Sequence, residues 1–247
     1  MVRRVRLGVI VPSSNTVLEP LTSAIISSID DPDLDISVHY SRFRVTTIDV
    51  SQDANAQFLL QPMLDAARLL ADAEVHVIGW SGTSSGWLGF EKDEILCDAI
   101  NEATGIPATS SVVALNELLI KCNNQDMGLV TPYAQRVNDA IRKNYASIGL
   151  NVTVDRERHL GLTKNMDFGK VTETQLDEMV TQVVEQGADV VAIYCTNLRG
   201  ARRASAWEEE LNIVVLDSVA TTVWGMLRTI GVQPSCVKGW GSIFTLD

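Results

Sequence analysis

Residues 7–12 read Leu-Gly-Val-Ile-Val-Pro, and residues 127–132 repeat the pattern as Met-Gly-Leu-Val-Thr-Pro. In both places proline closes a short apolar run, and a polar residue and then a helical pattern follow it. Short apolar runs bounded by turn residues are typical of strands buried on both faces of a parallel sheet. The repeated hexapeptide therefore predicts two halves of the chain, each beginning with the same kind of strand.

Two further pairs of segments follow in the same order in both halves. Residues 79–83 (Gly-Trp-Ser-Gly-Thr) align with residues 192–196 (Ala-Ile-Tyr-Cys-Thr). Residues 106–111 align with residues 213–218, and each of these segments leads into a helical pattern. Three ordered pairs predict two similar α/β lobes that face each other across a cleft.

The spacing of apolar residues predicts the individual elements. Strands are predicted at residues 5–11, 34–43, 75–80, 127–130, 189–194 and 213–216. Helices are predicted at residues 54–71, 93–103, 111–120, 134–145, 172–185 and 219–230. This alternation is typical of a mostly parallel sheet with helices on both faces. The first lobe is expected to comprise residues 1–120 together with 217–247, and the second lobe residues 121–216.

The composition excludes several classes of protein. The chain has 247 residues, of which 46% are hydrophobic and 21% charged, as in ordinary soluble globular proteins. The net charge of −11 argues against nucleic acid or an anionic membrane as a partner, because both require a basic surface. No run approaches the ~18 apolar residues of a membrane span. Because the first residues lead directly into a predicted strand, we expect a cytoplasmic protein.

The cysteines are widely separated and form no CxxC pair, so we expect reduced thiols and no structural zinc site. They are Cys97, Cys122, Cys195 and Cys236. Cys195 follows the apolar run 188–193, at the carboxyl end of a predicted strand, where ligands bind in open α/β sheets. A thiol there acts as a nucleophile or proton carrier when its pKa is tuned. The alternative is that it is a small buried hydrophobic residue.

Loops rich in small polar residues follow two predicted strands. Residues 13–16 (Ser-Ser-Asn-Thr) combine hydroxyls with backbone N–H groups, a combination that binds carboxylate or phosphate. The alternative is that Ser13, Ser14 or Asn15 simply caps the next helix. Residues 81–86 (Ser-Gly-Thr-Ser-Ser-Gly) form either an anion-binding cradle or a flexible loop. Without a lysine they are not a P-loop.

Tyr133 and Asn165 are weaker candidates. Tyr133 ends a predicted strand, where its hydroxyl could donate to a ligand oxygen, although tyrosine more often only packs its ring. Asn165 lies in the irregular stretch 161–167 and by itself indicates a turn. The residues alone leave both interpretations open for Tyr133 and favour a turn at Asn165.

Taken together, these motifs resemble one enzyme superfamily. They are residues 11–16 (Val-Pro-Ser-Ser-Asn-Thr), residues 82–84 (Gly-Thr-Ser), Pro132-Tyr133, Asn165 and Cys195-Thr196. In this order and at these spacings they resemble the Asp/Glu racemase superfamily, and within it the maleate cis-trans isomerase and arylmalonate decarboxylase branch. The resemblance covers nearly the whole chain. It implies two Rossmann-like lobes with mostly parallel sheets and a pseudo-twofold axis. It also implies an active site between the lobes and carbon-acid chemistry without a cofactor or a metal.

The chain departs from the superfamily at one position. Racemases of the superfamily use two cysteines, one from each lobe, and the resemblance places the second at Cys195 and the first at Gly82. Arylmalonate decarboxylases resemble this chain in having glycine at the first position and only the later cysteine. By that likeness Thr83, Ser84 and Tyr133 are the expected oxyanion donors, and Cys195 is the expected proton donor.

The isomerase side of the resemblance implies further binding residues. Ser14-Asn15-Thr16 and Asn165 match the isomerase pattern, in which the asparagines bind substrate carboxylates, and Ser14 is included in the expected binding set. Gly82 and Thr196 complete the expected substrate-binding set. The implied substrate is a small carboxylate or dicarboxylate.

Three functional hypotheses follow. The leading one is a cofactor-independent decarboxylase of a small malonate-type dicarboxylic acid, in which one cysteine protonates an enediolate. The second is a maleate isomerase-like or racemase-like enzyme that uses Cys195. The third is a degenerate protein that binds small acids without turnover. A homo-oligomer is left open, because compact two-lobe enzymes often pair.

Overall fold

Two parallel sheets of the same design form the core of the protein. The structure is a computed structural model, and it describes residues 2–122 and 126–246. The first sheet contains β1 (Arg3–Pro12), β2 (Leu34–Phe43), β3 (Val77–Trp80) and β4 (Ala108–Ser110) in the order β2-β1-β3-β4. The second contains β5 (Met127–Tyr133), β6 (Glu157–Leu162), β7 (Val190–Ile193) and β8 (Val214–Asp217) in the order β6-β5-β7-β8.

Helices connect the strands and cover the sheets. They are α1 (Leu18–Ser27), α2 (Gln52–Asn55), α3 (Leu60–Ala71), α4 (Ser85–Leu88), α5 (Glu91–Thr104), α6 (Ser111–Lys121), α7 (Gln135–Ser147), α8 (Asn165–Phe168), α9 (Glu173–Val184), α10 (Ala204–Leu211) and α11 (Ser218–Thr229). Short 3-10 helices occur at Ala56–Phe58, Val154–Arg156, Gly200–Arg202, Pro234–Cys236 and Ser242–Thr245. Within the described residues, no helix is both long and apolar enough to cross a membrane.

The three repeated segment pairs of the sequence supply equivalent strands of the two sheets. The first segment pair supplies β1 and β5, the second supplies β3 and β7, and the third supplies β4 and β8. All strand pairs within the two sheets are parallel, and every residue of β3 and β7 is buried. The predicted fold class, with two similar α/β lobes, is confirmed. The cytoplasmic location, the absence of nucleic-acid and membrane partners, and a homo-oligomer stay predictions.

The predicted helix at residues 54–71 is interrupted in the structure. It is divided into α2, a 3-10 turn and α3, and Leu59 between them is extended with φ −63° and ψ 148°. Pro62 is the third residue of α3, a first-turn position in which its missing N–H breaks no helical hydrogen bond. The helix therefore restarts just before this proline.

Helix α11 follows the last strand of the second sheet but packs on the first lobe. The Thr222 hydroxyl lies 2.6 Å from the Ser111 hydroxyl, and the Thr221 hydroxyl donates to the Ser111 carbonyl at 3.0 Å. At the C-terminal end of α11, the Ile230 carbonyl accepts a hydrogen bond from the Arg3 guanidinium at 2.7 Å. The chain thus returns towards the first sheet after β8 ends at Asp217. The division into residues 1–120 with 217–247 and residues 121–216 stays a prediction.

Asp217 caps α11 at this crossing. Its Oδ1 accepts from the backbone N–H groups of Val219 at 2.8 Å and Ala220 at 3.2 Å. Burial raises the pKa of Asp217 to about 7, although these backbone donors partly offset the effect. The carboxyl group is therefore more easily protonated in the folded protein than in the unfolded chain.

We expect Asp217→Asn to change how stability depends on pH. Because the pKa is raised on folding, the carboxyl group stabilises the fold fully below about pH 4 and loses this contribution as the pH rises to about 7. Asparagine keeps the capping oxygen without ionising. Urea unfolding from pH 4 to 8 should therefore show the variant gaining up to about 4 kcal/mol relative to wild type. Parallel stability curves would contradict this expectation.

Candidate active site

The carboxyl ends of strands from both sheets meet around one small cavity. Its lining comes from both lobes and consists of Pro12, Val45, Ile48, Phe58, Trp80, Gly82, Thr83, Ser84, Trp87, Tyr133, Asn165, Cys195 and Thr196. The cavity measures about 20 Å³, which is room for roughly one water molecule. None of these described lining residues carries a formal charge at neutral pH. The site is therefore a largely apolar pocket with a few converging neutral polar groups, the usual character of a small-molecule site.

Cys195 is connected to the first lobe by a chain of hydrogen bonds. It lies just beyond β7, with 3% of its surface exposed. The Tyr133 hydroxyl is hydrogen-bonded to the thiol, and it also lies 2.7 Å from the Thr83 hydroxyl. The backbone N–H of Asn197 donates to the sulfur at 3.4 Å. Three of the four residues expected to be catalytic therefore form one connected group.

Burial keeps the Cys195 thiol and the Tyr133 hydroxyl protonated. It raises the pKa of the Cys195 thiol to about 12, an effect to which the nearby Asp217 charge adds and which hydrogen bonds from Tyr133 and Asn197 oppose. Burial likewise raises the pKa of the Tyr133 hydroxyl well above its usual value. A protonated thiol can still give its proton to a strongly basic carbanion, whereas nucleophilic attack requires the thiolate.

Asn165 reaches the cavity from the second lobe and is anchored to the first. It is the first residue of α8, and its backbone N–H donates to the Thr46 carbonyl at 3.0 Å. Its side-chain amide donates to the Ser14 hydroxyl at 2.9 Å, and that hydroxyl donates to the Val45 carbonyl at 2.5 Å. Ser14 itself does not line the cavity, so it contacts the site through Asn165.

Asn15 also lies behind the cavity wall. Its Oδ1 accepts from the N–H groups of Val17 at 2.9 Å and Leu18 at 3.0 Å, so it is the capping side chain at the start of α1. Its amide donates to the Thr196 hydroxyl at 3.2 Å, and that hydroxyl donates to the Ser81 carbonyl at 3.2 Å. Asn15 and Thr196 thus tie the two lobes together, and their role in substrate binding stays a prediction.

The structure brings together seven of the nine residues expected at the site. The seven that line the cavity are Cys195, Tyr133, Thr83, Ser84, Gly82, Asn165 and Thr196. The two that do not line it, Ser14 and Asn15, are each one hydrogen bond away. The catalytic and binding roles of all nine stay predictions.

Sequence reasoning missed Asn197. Its side-chain amide donates to the Asn165 carbonyl at 2.6 Å, while its Oδ1 accepts from the Thr16 N–H at 3.1 Å. It is fully buried, and its own backbone N–H contacts Cys195. The available signal was its place two residues after the cysteine at a strand end.

Sequence reasoning also missed the segment that closes the cavity on one side. Residues 44–51 of the first lobe lie against the second lobe, where the Ile48 N–H donates to the Thr163 carbonyl at 2.8 Å. Asp49 of this segment forms an ion pair with Arg136 at the start of α7. Val45 and Ile48 line the cavity as a result. Nothing in the local sequence marks this segment, because its contacts are with residues distant in the chain.

No group of three or more His, Cys, Asp or Glu side chains that could hold a metal occurs within residues 2–122 and 126–246. The cavity instead offers hydroxyl, amide and thiol groups together with aromatic rings. Such a set of neutral donors can hold an anionic oxygen that develops during a reaction.

Curated proteins with related sequences are maleate isomerases and an arylmalonate decarboxylase. The maleate isomerase of Geobacillus stearothermophilus is 23% identical over 254 residues and covers 99% of both chains. The arylmalonate decarboxylase of Bordetella bronchiseptica is 25% identical over 189 residues, covering 75% of this chain and 78% of that protein. Both chemistries proposed from the sequence therefore occur among the relatives.

Solved structures show the same fold. A Nocardia farcinica maleate cis-trans isomerase mutant with a covalently bound succinylcysteine intermediate aligns with a TM-score of 0.88 at 23% identity, covering 99% of this chain and 100% of that one. A glycine-to-cysteine, cysteine-to-serine double mutant of arylmalonate decarboxylase in the liganded form aligns with a TM-score of 0.81 at 22% identity, covering 98% and 99%.

The family model for arylmalonate decarboxylase matches residues 30–244, nearly the whole chain. The resemblance to the Asp/Glu racemase superfamily is confirmed, and with it the expectation of an enzyme of the lyase or isomerase class. The chain belongs to the arylmalonate decarboxylase family.

Proposed function

We propose that this enzyme decarboxylates a small malonate-type dicarboxylic acid, with Cys195 as the proton donor. The observation that carries the proposal is a single buried, protonated thiol in an uncharged cavity. Among the described residues, Cys195 is the only cysteine that lines the cavity, and Gly82 stands where the superfamily resemblance places a second one. A site with one proton donor favours a reaction that needs one proton at carbon.

The walls of the cavity of about 20 Å³ must move apart to admit a dicarboxylic acid. Because they are uncharged, they supply the driving force for losing CO2. Burying an ionised carboxylate without a charged partner is costly, and here Val45, Ile48 and Trp87 offer one carboxylate only apolar surface. Breaking the bond between this carboxylate and the α-carbon releases neutral CO2. The cavity thereby destabilises the substrate relative to the transition state.

The second carboxylate accepts the electron pair left behind. The pair spreads from the α-carbon onto the carboxylate oxygens and forms an enediolate, towards which Thr83, Ser84 and Tyr133 present hydroxyl groups. In acyl-transfer enzymes one such donor contributes roughly 3–4 kcal/mol. The Cys195 thiol then transfers its proton to the α-carbon, and the resulting thiolate regains a proton from solvent.

A substrate panel tests the proposal. The purified enzyme is incubated separately with phenylmalonate and with maleate, and proton NMR follows the products. We expect phenylacetate and released CO2 from phenylmalonate. Conversion of maleate to fumarate without any CO2 release would overturn the proposal in favour of the second candidate. Binding without product from a broader set of malonates would favour a degenerate binding protein.

The second candidate is a maleate isomerase-like reaction, which the maleate isomerases among the curated relatives support. Maleate isomerases match this chain over nearly its full length, and their solved structures align with TM-scores of 0.86–0.88, against 0.75–0.81 for arylmalonate decarboxylases. In such a reaction the Cys195 thiolate would add to one alkene carbon and the carbon–carbon bond would rotate. Breaking the carbon–sulfur bond would then release the trans acid.

The pH dependence separates the two candidates. With the Cys195 pKa raised to about 12, a reaction that needs the protonated thiol should show no alkaline loss of kcat/KM from this group between pH 7 and 10. A reaction that needs the thiolate should instead rise about tenfold per pH unit over the same range. Measuring kcat/KM at constant ionic strength distinguishes these profiles, and the rising profile would contradict the proton-donor role.

A further inference from the structure

Trp80 occupies the space in which a side chain at position 82 would stand. It is the last residue of β3, is 1% exposed and lines the cavity. A Cβ atom built on Gly82 would lie 2.0 Å from Cζ2 and 2.5 Å from Cε2 of the Trp80 indole. Real carbon atoms do not approach this closely, so position 82 accepts only glycine while the indole stays in place. The first-lobe wall of the cavity thus presents an indole where the resemblance implies a thiol.

The neighbours of Trp80 hold the indole in this position. Its ring packs against Phe43 with centroids 5.3 Å apart and planes tilted by 55°. Met226 fills the space beside the adjacent Gly79, because a Cβ atom built there would lie 2.6 Å from its sulfur. The Ser111 hydroxyl also donates to the Trp80 carbonyl at 3.5 Å. The indole is therefore a fixed part of the wall.

The indole N–H of Trp80 is buried and has no hydrogen-bond acceptor among the described residues. Buried donors are nearly always paired in folded proteins, so an unpaired one on a residue that lines a ligand cavity needs an explanation. The cavity has room for about one water molecule, which a bound ligand would displace, and its other described lining residues include no carboxylate. An acceptor that arrives with the ligand would satisfy this N–H.

We propose that Trp80 is a substrate-binding residue whose indole N–H donates to a carboxylate oxygen of the ligand. This inference deepens the proposed function, because it identifies a donor for one of the two carboxylates of a dicarboxylic acid. The proposed contact between Trp80 and a ligand carboxylate does not depend on whether CO2 is released. The residue acts by direct contact with the ligand and leaves proton transfer to Cys195.

The test is an NMR titration of the tryptophan indoles. The Cys195→Ala variant of the full chain is labelled with 15N-tryptophan, so that phenylmalonate is bound without being consumed. We expect phenylmalonate to shift the indole N–H signal of Trp80 downfield, and maleate serves as a second probe. The signal is assigned by its loss in a Trp80→Phe variant. If that variant does not fold, the signal is assigned by single phenylalanine variants at the other tryptophans. These are Trp87, Trp207, Trp224 and Trp240.

A matched pair of variants measures the size of the effect. Trp80→Phe keeps an aromatic ring and removes only the donor, so the dissociation constant for phenylmalonate should rise about 10- to 100-fold. Trp224 is the control, because it is also fully buried with an unpaired indole N–H but lies on α11 and does not line the cavity. We expect Trp224→Phe to leave the dissociation constant unchanged.

Two outcomes would overturn the proposal. One is saturating binding of phenylmalonate, measured by calorimetry, with no movement of the Trp80 signal. The other is an equal loss of affinity in the Trp80 and Trp224 variants, which would indicate a general effect on the fold. Neither outcome bears on CO2 release by the wild-type enzyme, so a failure of the proposed function is seen separately in the substrate panel.

Discussion

Cys195→Ala is expected to reduce decarboxylation of phenylmalonate by about 10²- to 10⁴-fold, the usual contribution of a positioned general acid. Among the described residues that line the cavity, the Cys195 thiol and the Tyr133 hydroxyl hydrogen-bonded to it are the acidic groups that could release a proton to carbon. Removing the thiol leaves the enediolate without its donor but leaves Thr83 and Ser84 in place. Calorimetry should therefore show phenylmalonate binding close to that of the wild type.

Cys97→Ala is the matched control for this change. Cys97 is also a free cysteine whose pKa burial raises to about 12, but it lies on α5 and does not line the cavity. Its variant should keep wild-type turnover. If the Cys195 variant turned over phenylmalonate as fast as the wild type, the thiol would not be the proton donor. If it lost both turnover and binding, the thiol would have a structural role instead.

Tyr133→Phe is expected to reduce kcat by about 10²- to 10³-fold, the effect of losing one oxyanion donor. The hydroxyl of Tyr133 joins Thr83 to Cys195, so its loss removes a donor and frees the thiol from its hydrogen bond. The ring would keep its edge contacts with Trp87 and Phe168, both at 5.5 Å between centroids. We therefore expect KM to change much less than kcat in steady-state measurements.

Tyr145→Phe provides the comparison. Tyr145 is as deeply buried as Tyr133, and burial raises its pKa as well. Its hydroxyl donates to Asn116 at 3.1 Å and lies 3.3 Å from the Tyr194 hydroxyl, away from the cavity. Its variant should lose some stability but keep kcat. Equal losses of kcat in both variants would show that the Tyr133 effect arises from the fold and not from the reaction.

The topology could be predicted from the sequence because the apolar runs repeat in order. The segments at residues 7–12 and 127–132 supplied β1 and β5, and both became central strands of their sheets. Edge elements were harder to find. β6 has one buried residue and carries charged side chains, so it lacks the apolar run that marks a buried strand. α8 has only one turn, too short for a helical period to show.

The site could be predicted in part, and the misses have a physical reason. Cys195 and Thr83 could be identified as candidate site residues because they follow predicted strands, and ligands bind at the carboxyl ends of parallel strands. The residue that caps α1 could not be assigned from the sequence. The hydroxyls of Ser13 and Ser14 donate to the Val45 carbonyl, and the side chain of Asn15 accepts the capping hydrogen bonds instead. The unpaired indole N–H of Trp80 could not be predicted from the sequence either, because it depends on which described groups lie near it in the folded protein.

The return of α11 to the first lobe affects how the protein is made. Domains usually fold as units during synthesis, beginning with the N-terminal one. Here the sheet built from residues 3–110 remains uncovered on the side of Ser111 and Gly79 until residues 218–229 have left the ribosome. The first sheet, although synthesised first, is covered by α11 only after the last strand of the second sheet has been made, and a nascent chain stalled before residue 218 would expose that surface to chaperones.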